Sequence, residues 1–345
     1  MGEHVQRETQ YTVPLTVSTG KLLPWLVAAL CVAPLFLAPV LPLIDLYAHT
    51  LRYQILADIG DDPALAENFR TNWKLLPNLG LDVLGTLLFK ALPPLAAARV
   101  IAGLIILAPF AGTVILARSV QGRITWPTVA LAGILAHSFI LGWGFGNFLL
   151  GLGVALAALG FWISNHERPR RQILVAIPLG IFIFFIHGLV FALWGLLLAS
   201  VELALAFARG WPGFGSLLLR VIRLLLIAAI PALLFIATDT VQRNAQITES
   251  IANVTIYLQQ GTLAQRLLDE AWSRGDSFLR VAESAWPVAD RIFGAILWGS
   301  IALAWLGGQV RLDRRRSIAV SAAALTVFLM PPDLFGVGPL DVPLP

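Results

Sequence analysis

Apolar stretches of bilayer length recur along this chain, and no other feature limits its folding as severely. A hydrocarbon layer takes roughly 17 to 25 apolar residues in a helix. By that ruler, spans fall near 22–44, 95–117, 127–142, 147–164, 172–186, 188–207, 222–238, 291–308 and 317–331. Backbone N–H and C=O groups in lipid must be satisfied within the segment, so these stretches read as nine transmembrane helices. Composition agrees: 58% of the 345 residues are hydrophobic and 13% are charged, about half the roughly 25% of soluble domains. The expected fold is all-α, a polytopic integral membrane protein. One cysteine, Cys31, excludes an intrachain disulfide. A formal charge of +4 spread over short loops gives no reason to expect a nucleic-acid partner.

The arginines orient the spans. Arg118 and Arg123, then Arg168, Arg170 and Arg171, then Arg209, Arg220 and Arg223, then Arg311, Arg314, Arg315 and Arg316 occupy alternate loops. The loops between them, Gly144-Phe145-Gly146-Asn147 and the turn at His187, carry no Lys or Arg. The positive-inside rule makes the basic loops cytoplasmic, with the N-terminus inside and the C-terminus outside. Trp126, Trp162 and Trp211 stand beside the basic loops, as an interfacial belt requires. The first span is too long for a signal-peptide core and lacks a small-x-small cleavage site, so it reads as a retained anchor, bent by Pro24, Pro34, Pro39 and Pro42. An Arg-rich, Lys-poor chain of this kind is expected in a bacterial inner membrane, and Asn253-Val254-Thr255 is then a chance match to a glycosylation sequon.

This divides the chain into a membrane domain (1–238) with a first outer loop at 45–94, a small extracytoplasmic helical segment at 239–290, and C-terminal helices with an outer tail (291–345). Within the first loop, 45–58 reads as an amphipathic helix on the membrane, with Tyr47, Leu51 and Ile55 on one face and Asp45, His49 and Arg52 on another. Asp62-Pro63 begins a second helix as N-cap and first helical residue. The stretch 75–92 is apolar but short and contains Pro77, Asn78, Asp82 and Lys90. Counting it as a span would place every later arginine cluster outside, so it reads as a re-entrant or interfacial helix.

Polar groups therefore collect at the outer ends of the spans: Asp45, His49, Arg52, Asn78, Asp82, Asn147, His187 and Arg243. Such groups near hydrocarbon are expensive, which makes their concentration a candidate site. Asp45 and His49, four residues apart, share one side of a helix. Asp45 is placed to act as a general base and His49 to orient it or bind substrate, although Asp at this point also caps a helix well. Asn78 and Asp82 are likewise four apart on an apolar helix and are expected to face a protein-lined cavity. The Gly142–Asn147 turn follows a membrane helix and not a strand, so it is no dinucleotide fingerprint; its glycines let backbone approach a ligand or another helix. His187 tops a hairpin of two apolar helices, Arg243 suits an anionic headgroup or a helix anchor, and His137 reads as packing. No His/Cys/Asp/Glu cluster has zinc spacing, so no metal site is expected.

An acidic residue just after the first span, in Pro42-Leu43-Ile44-Asp45-Leu46-Tyr47-Ala48-His49, resembles the GT-C superfamily of membrane glycosyltransferases, which use polyprenyl-phosphate-linked sugars. The outer-loop helices, the Pro77-Asn78…Asp82 segment and the two turns extend the resemblance over about residues 40–200. It implies a transferase fold with Asp45 as catalytic base, a polyprenyl-phosphate-linked sugar and membrane lipid as partners, and transfer at the extracytoplasmic face. Arg52, Arg243 or a divalent cation would offset charge on the departing phosphate. The topology, and not the resemblance, assigns substrate binding to His49, Arg52, Asn78, Asp82, Asn147, His187 and Arg243. Two rival readings remain open: a multi-pass transporter, with the tight hairpins as broken helices around a site, and a non-catalytic subunit docking a partner through 239–290. The ending Leu340-Asp341-Val342-Pro343-Leu344-Pro345 reads like the lead-in to another helix.

Overall fold

The computed structural model describes residues 21–37, 43–71, 73, 75–207, 213–237 and 286–307, with scattered positions between 262 and 279. Among them the regular structure is helical, without strands. The helices are α1 (Leu23–Val32), α2 (Pro34–Leu37), α3 (Leu46–Asp58), α4 (Pro63–Asn68), α5 (Gly80–Ala91), α6 (Pro94–Gln121), α7 (Trp126–Ala136), α8 (Phe139–Trp143), α9 (Gly146–Ser164), α10 (Pro169–Ile186), α11 (Gly188–Phe207), α12 (Phe214–Ala237) and α13 (Pro287–Leu306).

Six segments are long and apolar enough to cross a membrane: α6, α7 continued by α8, α9, α10, α11 and α12. They coincide with the six middle spans read from the sequence. Their outward faces are apolar: on α12, Leu219, Leu225, Leu233 and Ile236 are all exposed. An apolar surface of that extent is stable against lipid and not against water, so this is a multi-pass membrane protein. Of the expected first span 22–44, the described part is an apolar helical stretch, Leu23–Leu37, in which α1 passes into α2 at Ala33-Pro34 with Ala33 still helical; residues 38–42 lie outside the described residues. Helix α13 has the length of a span but carries Asp290 in its first turn and Arg291 directly after it. The expected span 317–331, most of the segment 239–290 and Arg243 lie outside the described residues.

Two helices form the spine of the bundle. α6 and α9 run parallel: Ile105 meets Gly146, and Leu116 and Ser119 meet Gly160. Their axes approach so closely at Gly112 and Gly153 that a Cβ on either would fall inside the partner's backbone. Around this pair are Ile101, Ile105, Val129, Leu149, Trp162, Ile183 and Trp194, all essentially inaccessible. One end of the bundle carries the turns at Gly144 and His187, here the tip end; the other carries Arg118, Arg123, Arg168, Arg170 and Arg171, the arginine end.

At the tip end α5 turns back into α6 through Leu92-Pro93, and α3 packs along α5. The join is a notch. A Cβ on Gly85 would stand 2.5 Å from the Tyr53 ring, which is itself 1% exposed. Leu46, Tyr53 and Ala57 form the buried face of α3, while Tyr47 and Leu51 are exposed. The apolar stripe expected from Tyr47, Leu51 and Ile55 is thus not the one that packs on protein; α5 holds the other face. Asp62 caps α4 as anticipated, its Oδ1 accepting from the Ala64 amide at 2.9 Å.

Candidate functional site

Asp45 arrives at the site by backbone docking. The Ile44 amide donates to the Gly142 carbonyl at 3.1 Å and the Asp45 amide to the Trp143 carbonyl at 3.0 Å. Gly144 permits this. It has φ +82°, and a Cβ there would come within 2.9 Å of the Asp45 and Leu46 nitrogens. A left-handed residue with backbone on its Cβ side has to be glycine. The glycines of this turn therefore admit another helix, the start of α3, which resolves one alternative left open by the sequence. Asp45 sits in the N-cap position of α3, but its φ and ψ are helical and its side chain makes no capping bond. Among the described residues that half-buried carboxylate has no hydrogen bond or ion pair. Capping does not explain it.

One turn along α3, His49 stacks over Tyr53 with ring centres 6.2 Å apart. One residue before Tyr53, Arg52 forms an ion pair with Asp82. Asp82 lies in the first turn of α5 and is 3% exposed, whereas the Arg52 side chain is 58% exposed. Burial pushes the Asp82 carboxyl above the ordinary range, opposed first by Arg52 and then by His49. Burial, and then the Asp82 charge, likewise push the Tyr53 phenol up. Asp82 therefore faces Arg52 and not an open cavity, and its charge offsets that of the guanidinium.

The second strand of the site is a latch between the two turns. Asn147, in the first turn of α9, accepts from the Leu81 amide at 2.8 Å and donates through Nδ2 to the Asn78 carbonyl at 3.1 Å. Both halves of its amide are engaged by protein. Asn78 is not on a helix, contrary to the four-residue spacing with Asp82. It precedes α5 with φ +72°, a backbone that Asn tolerates, and its side chain is exposed. At the second turn the His187 ring packs edge-on to Phe148 at 5.4 Å. Its Nδ1 accepts from the Val190 amide at 3.4 Å. Burial lowers its pKa to about 4, so the imidazole is neutral at pH 7. Gly188 lies against Pro77, and Gly80 against Ile186, so the α5 lead-in is wedged between the turns.

Asp45, His49, Arg52, Asn78, Asp82, Asn147 and His187 thus gather at the tip end, drawn from four separated stretches of chain. They divide by what their polar atoms do. Asn147 and Asp82 are consumed by protein, while Asp45, His49 and the outer side of Arg52 remain available. No group of three His, Cys, Asp or Glu among the described residues could hold a metal ion.

A polar cluster to which the sequence assigned no role lies at the arginine end. Glu202, 4% exposed, accepts from Trp162 Nε1 at 2.9 Å and from Arg220 at 2.5 Å, with Arg223 at 3.6 Å. The Gln172 side chain donates to the Trp162 carbonyl at 2.8 Å. This clasp ties α9, α10, α11 and α12 together. The signal for it was a lone Glu inside an apolar span, which has to find a cation. Apolar grooves also mark the surface of the described residues. One of about 340 Å³ between α11 and α12 is lined by Trp194 and Leu225, and one of about 370 Å³ beside α1 and α7 is lined by Cys31 and His137. Neither is lined by a residue gathered around Asp45. The chain matches no family model, no curated protein and no solved structure.

Proposed function

We propose that the protein is a GT-C-type membrane glycosyltransferase of a bacterial inner membrane. It moves a sugar from a polyprenyl-phosphate-linked donor to an acceptor hydroxyl at the extracytoplasmic face. In this reading nine helices cross the bilayer, the N-terminus is cytoplasmic and the tip end faces outward. The observation that carries it is the Asp45 carboxylate: half-buried, free of capping, unpaired among the described residues and held against the Gly142–Gly144 turn. Asp45 takes the proton of the acceptor hydroxyl as that oxygen bonds to the anomeric carbon. The anomeric C–O bond breaks with its electron pair going to the lipid phosphate. His49 flanks the acceptor. Arg52 serves first to fix α3 on α5 through Asp82, and only its exposed nitrogens face the substrate. A donor with a lipid tail cannot leave the leaflet, which favours a site at the membrane surface.

The test is Asp45→Asn in membrane vesicles supplied with synthetic polyprenyl-phosphate hexoses and pentoses. Loss of a general base lowers turnover by about 10²-fold or more, with an unchanged gel-filtration profile. Wild-type transfer by Asp45→Asn rejects the assignment.

One observation favours a transporter as the second reading. The α7–α8 span is interrupted at His137-Ser138, where Ser138 has φ −64° and ψ 162°, and broken membrane helices line transport sites. In that case Asp45→Asn leaves substrate uptake intact, and substitution of His137 abolishes it.

A further inference from the structure

Helix α12 stands at the margin of the bundle. Among the described residues 11% of its apolar stretch is buried, against 29–50% in the other five spanning segments. It packs on α10 and α11, with Ile227 and Pro231 as its buried residues. Its two charges, Arg220 and Arg223, turn to the buried Glu202 of α11.

The opposite side of α12 carries Leu219, Ile222, Leu226, Ala229, Leu233 and Ile236, all exposed. Their spacing is three, four, three, four and three residues, the heptad period of a coiled-coil seam. Leucine fills each first position of the repeat, and Ile, Ala and Ile fill the second. Lipid tails are as apolar as leucine and impose no such order, whereas knobs-into-holes packing uses it. At 1.5 Å per residue the stripe runs about 26 Å, most of the hydrocarbon thickness.

We infer that this stripe packs against the same stripe of a second copy, so that the protein is a homo-oligomer joined through parallel α12 helices. Copies of one membrane protein insert with the same orientation and associate about an axis normal to the bilayer. Equal depths then meet, Leu226 beside Leu226, without any adjustment of register. A different partner would need the same period at the same depths. The chain's own last stretch is the poorer fit. The expected span 317–331 is tied by ten residues to α13, and α13 lies across the α6–α9 spine from α12, where its Phe293 shares a groove with Val27 of α1 and Gly133 of α7. Leu in the first position with Ile in the second favours more than two strands. The inference is independent of the transferase reading, since the stripe contains no residue gathered around Asp45.

The test oxidises native membranes containing full-length Leu226→Cys, Leu233→Cys or Val221→Cys, each in a Cys31→Ala background. Every chain then has one thiol, so any disulfide joins two copies. Leu226→Cys and Leu233→Cys are expected to give a band at twice the chain's 37.3 kDa. Val221→Cys, exposed on α12 but off the stripe, is expected to give at least tenfold less. Adding Ala229→Trp to Leu226→Cys overfills the seam and should lower the linked fraction by about tenfold. If Ala229→Trp does not insert, the cysteine pattern alone decides, together with the particle mass of wild type in nanodiscs, expected at two or more chains. A single chain per nanodisc, no disulfide on the stripe, or equal linking at all three positions overturns the inference. So does a bis-maleimide link between Leu226→Cys and Ala324→Cys within one chain, which would lay the chain's own last stretch on this face.

Discussion

Replacing Gly144 with alanine perturbs the contact on which the site is built, and the structure gives the size of the effect. Gly144 has φ +82°, and an L-residue in left-handed backbone loses about 1–2 kcal/mol. The new methyl would stand 2.9 Å from both the Asp45 and Leu46 nitrogens. Those are backbone atoms, so relief requires the start of α3 to move off the turn. Moving it breaks the Ile44–Gly142 and Asp45–Trp143 hydrogen bonds, each contributing about 1 kcal/mol. Gly144→Ala is therefore expected to destabilise by about 3–4 kcal/mol in total. Gly142→Ala is the matched control, because Gly142 has nothing within 4 Å of its Cβ position. It lies in α8, where alanine is favoured over glycine by about 1 kcal/mol. Reversible unfolding in mixed micelles measures both, and amide exchange at Ile44 and Asp45 reports the docking itself. Equal stability for the two variants, or protected amides in Gly144→Ala, would refute the docking.

Other substitutions test other parts of the account. Gly153→Ala, whose methyl would enter the Ala108 backbone, is expected to cost about 1–3 kcal/mol of stability; Gly195→Ala, with open space inside α11, should stabilise by up to about 1 kcal/mol in the same unfolding assay. Glu202→Gln leaves Arg220 and Arg223 without their carboxylate and should destabilise by about 3 kcal/mol, seen as a lower midpoint of thermal aggregation. His187 binds its proton less well folded than unfolded, its pKa falling from 6.5 to about 4. The unfolded chain thus gains protons first on acidification. Its contribution is complete above pH 6.5 and is lost at about 1.4 kcal/mol per pH unit down to pH 4, a slope that His187→Gln should abolish. For orientation, Gly142→Cys in a Cys31→Ala background should react with an impermeant maleimide in intact cells while Glu167→Cys does not; the reverse pattern inverts the topology.

The membrane helices were legible because their signal is local. An uninterrupted apolar run announces a span whatever it packs against, and all six long helices lie where such runs predict them. The prolines of the first run were legible in the same way: the bend expected at Pro34 falls where α1 gives way to α2. The site was legible as a set of residues and not as a set of roles. Four-residue spacing put Asn78 on the helix of Asp82, but α5 begins only at Gly80, after a left-handed Asn78. Asp82 and Asn147 read as substrate ligands because nothing near them in sequence could partner them. Their partners, Arg52 and the Leu81 amide, stand 30 and 66 residues away. The Glu202 clasp was missed for the same reason, since the indole that meets it belongs to α9. Pairings across the chain are set by packing, which a one-dimensional pattern does not contain.

The account stands on the start of α3 lying against the first turn, with the half-buried Asp45 beside it. Ile44→Cys paired with Gly142→Cys, in a Cys31→Ala background, measures this directly, because both positions are exposed and their backbones are joined by a 3.1 Å hydrogen bond. Treatment of native membranes with a short bis-maleimide should join the pair, detected as a cross-linked peptide, and should not join Ile44→Cys to Glu167→Cys. Failure of the Ile44–Gly142 pair to cross-link, with both thiols reactive singly, would contradict the site as described.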